Sequence, residues 1–513
     1  MADVVQFIEN VNSPPSFRIG RCSETQARRR PATKRASTFV HLLVGAGRRP
    51  ISAHRCLLIT SSNSMSDCYR LVLAEPSTRR VFAERSRLRW RLPRISIPRW
   101  SRAAEHVQAV VGEQWGFKAV VIDLLEQKSG HEGIAIAELR VVSRSSHLPC
   151  AGSWVNFREV SKSEIDGAGL HTVEALLSDG ATGRGAFSRF GWIKEALDWI
   201  SVEAGIDRAR FSGDVKQFNA AADSALVRFG TKSQAPIWFK ASGNPSSSEY
   251  RVTRVLAQLF PDFLPAVIAN REDWKAWAME DAGAPLNSVC SPGAFGKAVS
   301  RLAELKKASK DLVPRLLASG CTDQRLPVLR ANIRPLMNLI DDAMARQDSG
   351  FAPRLTSARI RALEAILTEA CLDLEDLQIP NTLLHGDLSF ENILVGPRGL
   401  VFTDWPSAAV GNPFVAFEQL RAQIEQEKYA RLWLPVLTEI YLGSWLEVLS
   451  RNQIECALNL VPPIAAMTYL FDQWQRFGSE RCSELDFQSF VRGIARQIDR
   501  AAHDIPLRQV RCA

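Results

Sequence analysis

The residues best suited to chemistry stand together late in the chain: His385–Gly–Asp–Leu–Ser–Phe–Glu–Asn392, followed by Phe402–Thr–Asp–Trp405. A carboxylate such as Asp387 can orient a hydroxyl group and take its proton as the hydroxyl oxygen attacks phosphorus. A nucleoside triphosphate brings magnesium, a hard cation that prefers oxygen ligands. Asn392 supplies a neutral oxygen and Asp404 a charged one. The Asp-x4-Asn spacing puts the base and a metal ligand at opposite ends of one loop. These residue types suit transfer of a phosphoryl group from ATP to a hydroxyl, a reaction driven mainly by placement and electrostatics.

Such a loop has to be held by regular elements. Before it, Ile360, Leu363, Ile366, Leu367 and Cys371 recur at helical spacing, and Thr382–Leu384 leads into the histidine. After it, Ile393–Val395 and Leu400–Phe402 read as short strands around the turn Gly396–Pro397–Arg398–Gly399, which returns Asp404 to the same cleft. Further upstream, Ala225–Phe229 and Ile237–Lys240 read as paired strands across the turn Gly230–Gln234, and a helix begins near Glu249.

The ordered set His385, Asp387, Asn392 and Asp404 resembles the H-G-D-x4-N loop and following metal-binding Asp of the aminoglycoside phosphotransferase and choline kinase branch of the protein-kinase-like fold. The resemblance covers roughly residues 186–513 and implies an α+β, bilobal fold, with a small β-rich lobe over 186–283 and a larger helical lobe over 284–513. It implies Asp387 as base, Asn392 and Asp404 as ligands of Mg2+, and His385 as a residue that orients the loop. It also implies Lys240 as the grip on the α/β-phosphates of ATP and Glu249 as its partner acid. The segment Trp277–Gly283 falls at the hinge between the lobes, placing Met279 and Asp281 beside the adenine. The segment Gly213–Asn219 falls where a loop covers the phosphates, yet it has a single glycine. A second departure is Ala416, at a place where many members carry another Asp. The implied acceptor is a hydroxyl of a small molecule. The alternative is a catalytically weak pseudokinase that binds nucleotide as a regulatory module.

The rest of the chain is read more coarsely. Its 513 residues require two or three domains. Residues 65–160 read as an accessory α/β domain: a hairpin from Tyr69–Ala74 and Arg80–Ala83, a helix over Ala103–Trp115, then strands over Lys118–Leu125 and Ile134–Val142. That order, with the string Gly112–Phe117, faintly resembles a Nudix sandwich, although the metal-binding box is absent. Residues 161–185 read as a polar linker, and Gly191–Ala204 as an amphipathic helix.

Residues 1–64 contribute +7 of the net charge of +9, so the body of the chain has no broad basic face and no nucleic-acid partner is expected. This first segment reads as disordered or mis-started, with Met65 as the alternative start. A secretory signal is not expected there, while an organellar transit peptide would share its Arg/Ser-rich composition. Ten scattered cysteines form no CxxC pair, which disfavours a zinc site or a disulfide framework. The richest apolar stretch, Leu432–Leu449, holds Glu439 and Glu447, so no membrane span is expected. Unpaired thiols suit a reducing cytosol, and a cytoplasmic location is the expectation. Acids around Ile340–Asp342 and Leu374–Asp376 are candidates for a pocket that would attract a cationic acceptor, or else solvated helix surface.

Overall fold

The computed structural model describes residues 66–505 except 87–88, 99–100, 126–131, 142–151, 166, 233, 245, 290, 349–351, 426–429, 478–483 and 504. The expectations for residues 1–64 and Met65 lie outside the described residues.

A seven-stranded sheet comes first: β1 (Ser66–Glu75), β2 (Arg80–Ser86), β3 (Arg89–Arg91), β4 (Arg94–Pro98), β5 (Lys118–Leu125), β6 (Gly133–Val141) and β7 (Gly152–Val155). The spatial order is β3-β2-β1-β6-β5, with β4 against β1 and β7 against β2. The pair β1 and β6 is parallel. Helix α1 (Ala103–Trp115) packs Val107, Val111 and Trp115 on one face, against Leu71 and Leu73. It ends at Gly116 with φ +69°, where the Gly116 N–H donates to the Gly112 carbonyl at 3.0 Å. The left-handed residue lets the chain turn sharply into β5.

The segment expected to be a polar linker, 161–185, instead contains helix α2 (Gly167–Asp179). Its Val173 and Leu176 cover the second face of the sheet, against Val72, Ala74, Ile122 and Ile136. Helix α3 (Trp192–Glu203) follows and belongs to the next sheet.

That sheet has five antiparallel strands in the order β11-β12-β10-β9-β8. They are β8 (Phe211–Ala220), β9 (Ala225–Thr231), β10 (Ile237–Ala241), β11 (Val267–Arg271) and β12 (Ala276–Glu280). Helix α3 buries Trp192, Ile193, Ala196 and Ile200 against Phe229, Phe239 and Ala278 on one face. Helix α4 (Ser248–Leu259) lies on the other side, with Tyr250 against Trp277 and Met279. The segment 213–219, expected as a phosphate-covering loop, lies within strand β8. Gly213 there has φ +86°, inside a register irregularity between Phe211 and Val215, so its glycine serves a bulge. The actual turn, Ala221–Ser224, has no glycine.

The two sheets meet through their outermost strands, β5 and β8. The buried Gln217 amide donates to the Val121 carbonyl and accepts from the Val121 N–H, both at 2.8 Å. It stands in for a peptide group in a missing ladder.

The remaining chain is mainly helical. Strand β13 (Ala284–Pro285) is followed by α5 (Leu286–Val289), α6 (Pro292–Ser309), α7 (Val313–Ser319), β14 (Thr322–Gln324), α8 (Leu326–Ala345) and α9 (Ser357–Asp376). Then come β15 (Thr382–Leu384), β16 (Ile393–Gly396), β17 (Gly399–Phe402), β18 (Ala409–Gly411), α10 (Pro413–Ile424), α11 (Ala430–Gly443), α12 (Arg451–Phe477) and α13 (Leu485–His503). One continuous core joins these helices and takes in Val252 and Leu256 of α4. Helix α12 is long and apolar enough to span a bilayer by composition, but 72% of that stretch is buried in this core. The fold is α+β and bilobal, a β-rich lobe followed by a larger helical one.

Candidate functional site

Lys240 is the fourth residue of β10, so strand alternation turns it away from Phe239 and the α3 side. Its ammonium donates to the Glu249 carboxylate at the start of α4, and to Asp404 Oδ1 at 2.6 Å. The two lobes therefore meet at one cation held between two acids. Burial opposes the charge on Lys240, but the charges of Asp404 and Glu249 outweigh it and hold the ammonium pKa above its ordinary value. Glu249 is 2% exposed, and its carboxylate also accepts the Trp405 N–H at 3.1 Å. A single carboxylate thus fixes both the strand lysine and the backbone just after Asp404.

Asp404 has φ +68°, a left-handed conformation that costs a non-glycine residue about 1 kcal/mol or more. Neighbouring bonds hold it there. The Thr403 N–H donates to the Asn392 carbonyl at 2.9 Å, and the Thr403 carbonyl accepts His385 Nε2 at 2.8 Å. His385 is 1% exposed, and its ring lies 4.4 Å from that of Trp405. Its Nε2 contact is with backbone, on the residue just before Asp404. Gly386 has φ +75°, and a Cβ there would fall 2.0 Å from the Ser407 carbonyl. Only glycine fits between the histidine and Asp387.

Asp387 is half-buried at the end of that turn. Asn392 Nδ2 donates to the Asp387 carbonyl at 2.9 Å, which turns Asn392 Oδ1, the amide's acceptor oxygen, to other partners. Gln423 of α10 brackets the same loop, donating to the Leu388 carbonyl and accepting from the Phe390 N–H. On the approach side, buried Lys306 of α6 donates to the Leu383 carbonyl, and Ser309 accepts the Leu383 N–H at 3.0 Å. Burial without a counter-ion pushes the Lys306 ammonium down to a pKa of about 7.

The structure brings Lys240, Glu249 and Asp404 into direct contact and joins Asn392 to Asp387 through the loop backbone. Met279 lies inside the sheet, opposite Trp238 and Val267, with its side chain buried beside Tyr250 and Trp277. Asp281 follows β12 and accepts Trp238 Nε1 at 2.6 Å. The chain then passes close to the helical lobe at Gly283, where a Cβ would lie 2.2 Å from the Val395 carbonyl. Ala416 is 1% exposed in the core of α10, so a carboxylate there would be buried rather than in a cleft. Of the acids expected near 340–342 and 374–376, Asp341 accepts Ser357 of α9, and Glu375 pairs with Arg330 of α8.

The turn Ala221–Ser224 is tied from both sides. The Ala222 carbonyl accepts the Phe187 N–H at 3.1 Å, and Asp223 accepts the Asn244 N–H at 2.9 Å. Gln423, Lys306, Ser407, Asp472 and Arg476 carry no local motif. Only their tertiary contacts reveal them, and no spacing signal in the sequence points to them.

No protein-family model and no curated protein matches the sequence. Among solved structures, the chain is similar to a macrolide 2'-phosphotransferase from Brachybacterium faecium, at 16% identity, covering 61% of this chain and 97% of that one, with a TM-score of 0.37. It is also similar to a choline/ethanolamine kinase family protein from Mesorhizobium loti, at 13% identity, 61% and 98% coverage and a TM-score of 0.38. A third is an ethanolamine kinase from Plasmodium vivax, at 13% identity, 66% and 96% coverage and a TM-score of 0.40.

Proposed function

We propose that this chain is an ATP-dependent phosphotransferase that moves the γ-phosphoryl group to a hydroxyl of a small molecule. The observation that supports it most is the Lys240 ammonium of one lobe held between Glu249 of its own lobe and Asp404 of the other. A lysine aimed by a buried acid suits the non-transferred phosphates of a nucleotide. In this reading the base lies against the hinge at Asp281–Gly283, and Trp238 forms part of its wall. Asp387 orients the acceptor hydroxyl and takes its proton, while the flanking bonds of His385 and Asn392 keep that carboxylate in place.

The donors fit Mg2+: Asp404 and Asn392 offer hard oxygens, and among the described residues no group of three His, Cys, Asp or Glu could cage a metal. Such a pair suits a cation that keeps waters and takes phosphate oxygens. When bound, it would neutralise charge on the phosphates. The division into an accessory unit, which α2 carries beyond residue 160, and the two lobes belongs to the same proposal, as does a cytoplasmic location.

Thermal stability with and without ATP and magnesium tests the proposal, on wild type and Asp404→Ala. Ligand at about 100 times Kd stabilises by roughly 2.7 kcal/mol. A magnesium-dependent rise in Tm that Asp404→Ala loses supports the site, and screening of hydroxyl acceptors follows. No rise with ATP or GTP at millimolar concentration overturns it. The glycine-free turn at Ala221–Ser224 favours a second reading, a nucleotide-binding module without turnover. That reading predicts the Tm rise but no ADP release with any acceptor.

A further inference from the structure

Helix α12 sends two side chains toward the loop that follows Asp404. Asp472 is 1% exposed and accepts the Ser407 hydroxyl at 3.1 Å. Arg476, one turn on, donates Nη1 to Ser407 Oγ at 2.6 Å and Nη2 to Ser246 Oγ at 2.9 Å. Its Nη1 stands 3.8 Å from Asp472 Oδ2, and the Arg476 side chain is only 14% exposed. This is not a solvated surface pair of the kind that contributes little.

The two serines belong to different lobes. Ser246 lies between β10, which carries Lys240, and α4, which carries Glu249, and its carbonyl accepts the Glu249 N–H at 2.9 Å. Ser407 stands three residues after Asp404, and its carbonyl packs on Gly386. One guanidinium therefore touches the segment that presents Glu249 and the segment that presents Asp404. A planar fork of donors fixes direction as well as distance, which a single ammonium cannot do.

We propose that Arg476 is a positioning residue, an interlobe latch that sets the spacing of the Lys240–Glu249 pair relative to the Asp404 loop and must release Ser246 when the lobes part. The inference rests on the proposed nucleotide site. A nucleotide leaving the cleft requires the lobes to separate, so losing the latch speeds release more than it slows entry. Asp472 holds the guanidinium through charge and holds Ser407 through its hydroxyl, which keeps the latch seated on the helical lobe.

The test measures release of a fluorescent ADP analogue with magnesium, together with an interlobe distance distribution between encoded labels at exposed Lys232 and Arg361. Arg476→Ala should raise the off-rate about tenfold, as loss of charge-assisted hydrogen bonds implies, with a smaller change in on-rate and a broader distance distribution. Ser246→Ala cuts only the bond to the β-rich lobe. It should shift both readouts the same way while leaving Tm unchanged, and adding it to Arg476→Ala should add nothing. Arg476→Lys should restore only part of the effect, since one nitrogen cannot serve both serines. Unchanged off-rate and distance in Ser246→Ala would overturn the latch even if Arg476→Ala failed to fold. If wild type binds neither ADP nor ATP, the proposed function fails, and the distance distributions alone decide the latch.

Discussion

Strand β1 buries Leu71, Val72, Leu73 and Ala74 in succession, whereas β10 buries Ile237, Phe239 and Ala241 and leaves Trp238 and Lys240 partly open. The first pattern arises because α1 and α2 cover both faces of the seven-stranded sheet, so each of these four positions meets core. The second arises because α3 covers one face of the five-stranded sheet, while α4 covers only part of the other, where Lys240 reaches Asp404 of the helical lobe. A sheet covered on both sides has little room for polar chemistry on its faces. A sheet with one face turned to a second lobe can carry a lysine there and find an acid from across the cleft. In this molecule, position relative to a second lobe separates scaffold from candidate site more clearly than strand composition does.

The comparison can be pressed experimentally, beginning with the largest effect. Asp387→Asn should reduce phosphoryl transfer, followed as ADP release, by about 10²–10⁴-fold while leaving magnesium-dependent nucleotide binding intact, as expected for loss of a base. Wild-type turnover in that variant would remove Asp387 from the role. Neighbours on opposite faces of β10 should then separate stability from binding. Phe239→Ala should cost about 3–5 kcal/mol of stability by opening a core cavity. Trp238→Ala should cost much less stability and change nucleotide affinity. Denaturant melts paired with nucleotide titrations check this, and similar melts for the two variants would erase the distinction between the faces.

Lys306 provides the next test, because it is buried charge inside the helical lobe. Its folded pKa of about 7 lies below the unfolded value, so between those two values the unfolded chain holds a proton that the folded chain lacks. Stability therefore rises as pH climbs through that window, and the penalty is full below the folded pKa. Lys306→Met should remove a cost on the order of a few kcal/mol at neutral pH, and less at pH near 10. Equal Tm gains at both pH values would contradict a titrating Lys306. The smallest effect should come from Gln217→Ala, which leaves the Val121 N–H and carbonyl unpaired at a cost of roughly 1–3 kcal/mol. Hydrogen exchange at the Val121 amide should accelerate while exchange within β10 stays slow. Faster exchange in both would show that the two sheets open as one unit.

Much of the local architecture was legible because local spacing determines it. The helix Ala103–Trp115 ends where Gly116 takes positive φ, and Ile360, Leu363, Leu367 and Cys371 all face the core of α9. The order from His385 to Asp404 could be read because a tight turn, an Asn and a short hairpin leave strong residue signatures. Helix α2 was missed because Gly167, Gly169 and Ser178 mask the spacing of Leu170, Val173 and Leu176. The bulge at Gly213 looked like a loop because a glycine with polar neighbours gives the same signal in either setting. Arg476 and Lys306 were illegible for a different reason. Each is an ordinary basic residue on a helix, and the partners that give it a role lie dozens of residues away.

Gln217 also bears on what happens when the two sheets are separated. Strands β5 and β8 each end a sheet, and an exposed sheet edge is a template for pairing with another chain. With the Gln217 amide engaging Val121, each strand shields the other from that fate. A chain shortened to begin at residue 186 would retain the two lobes and bare β8. Association between copies by strand addition should then rise with concentration, which would make the seven-stranded unit a cover for that edge.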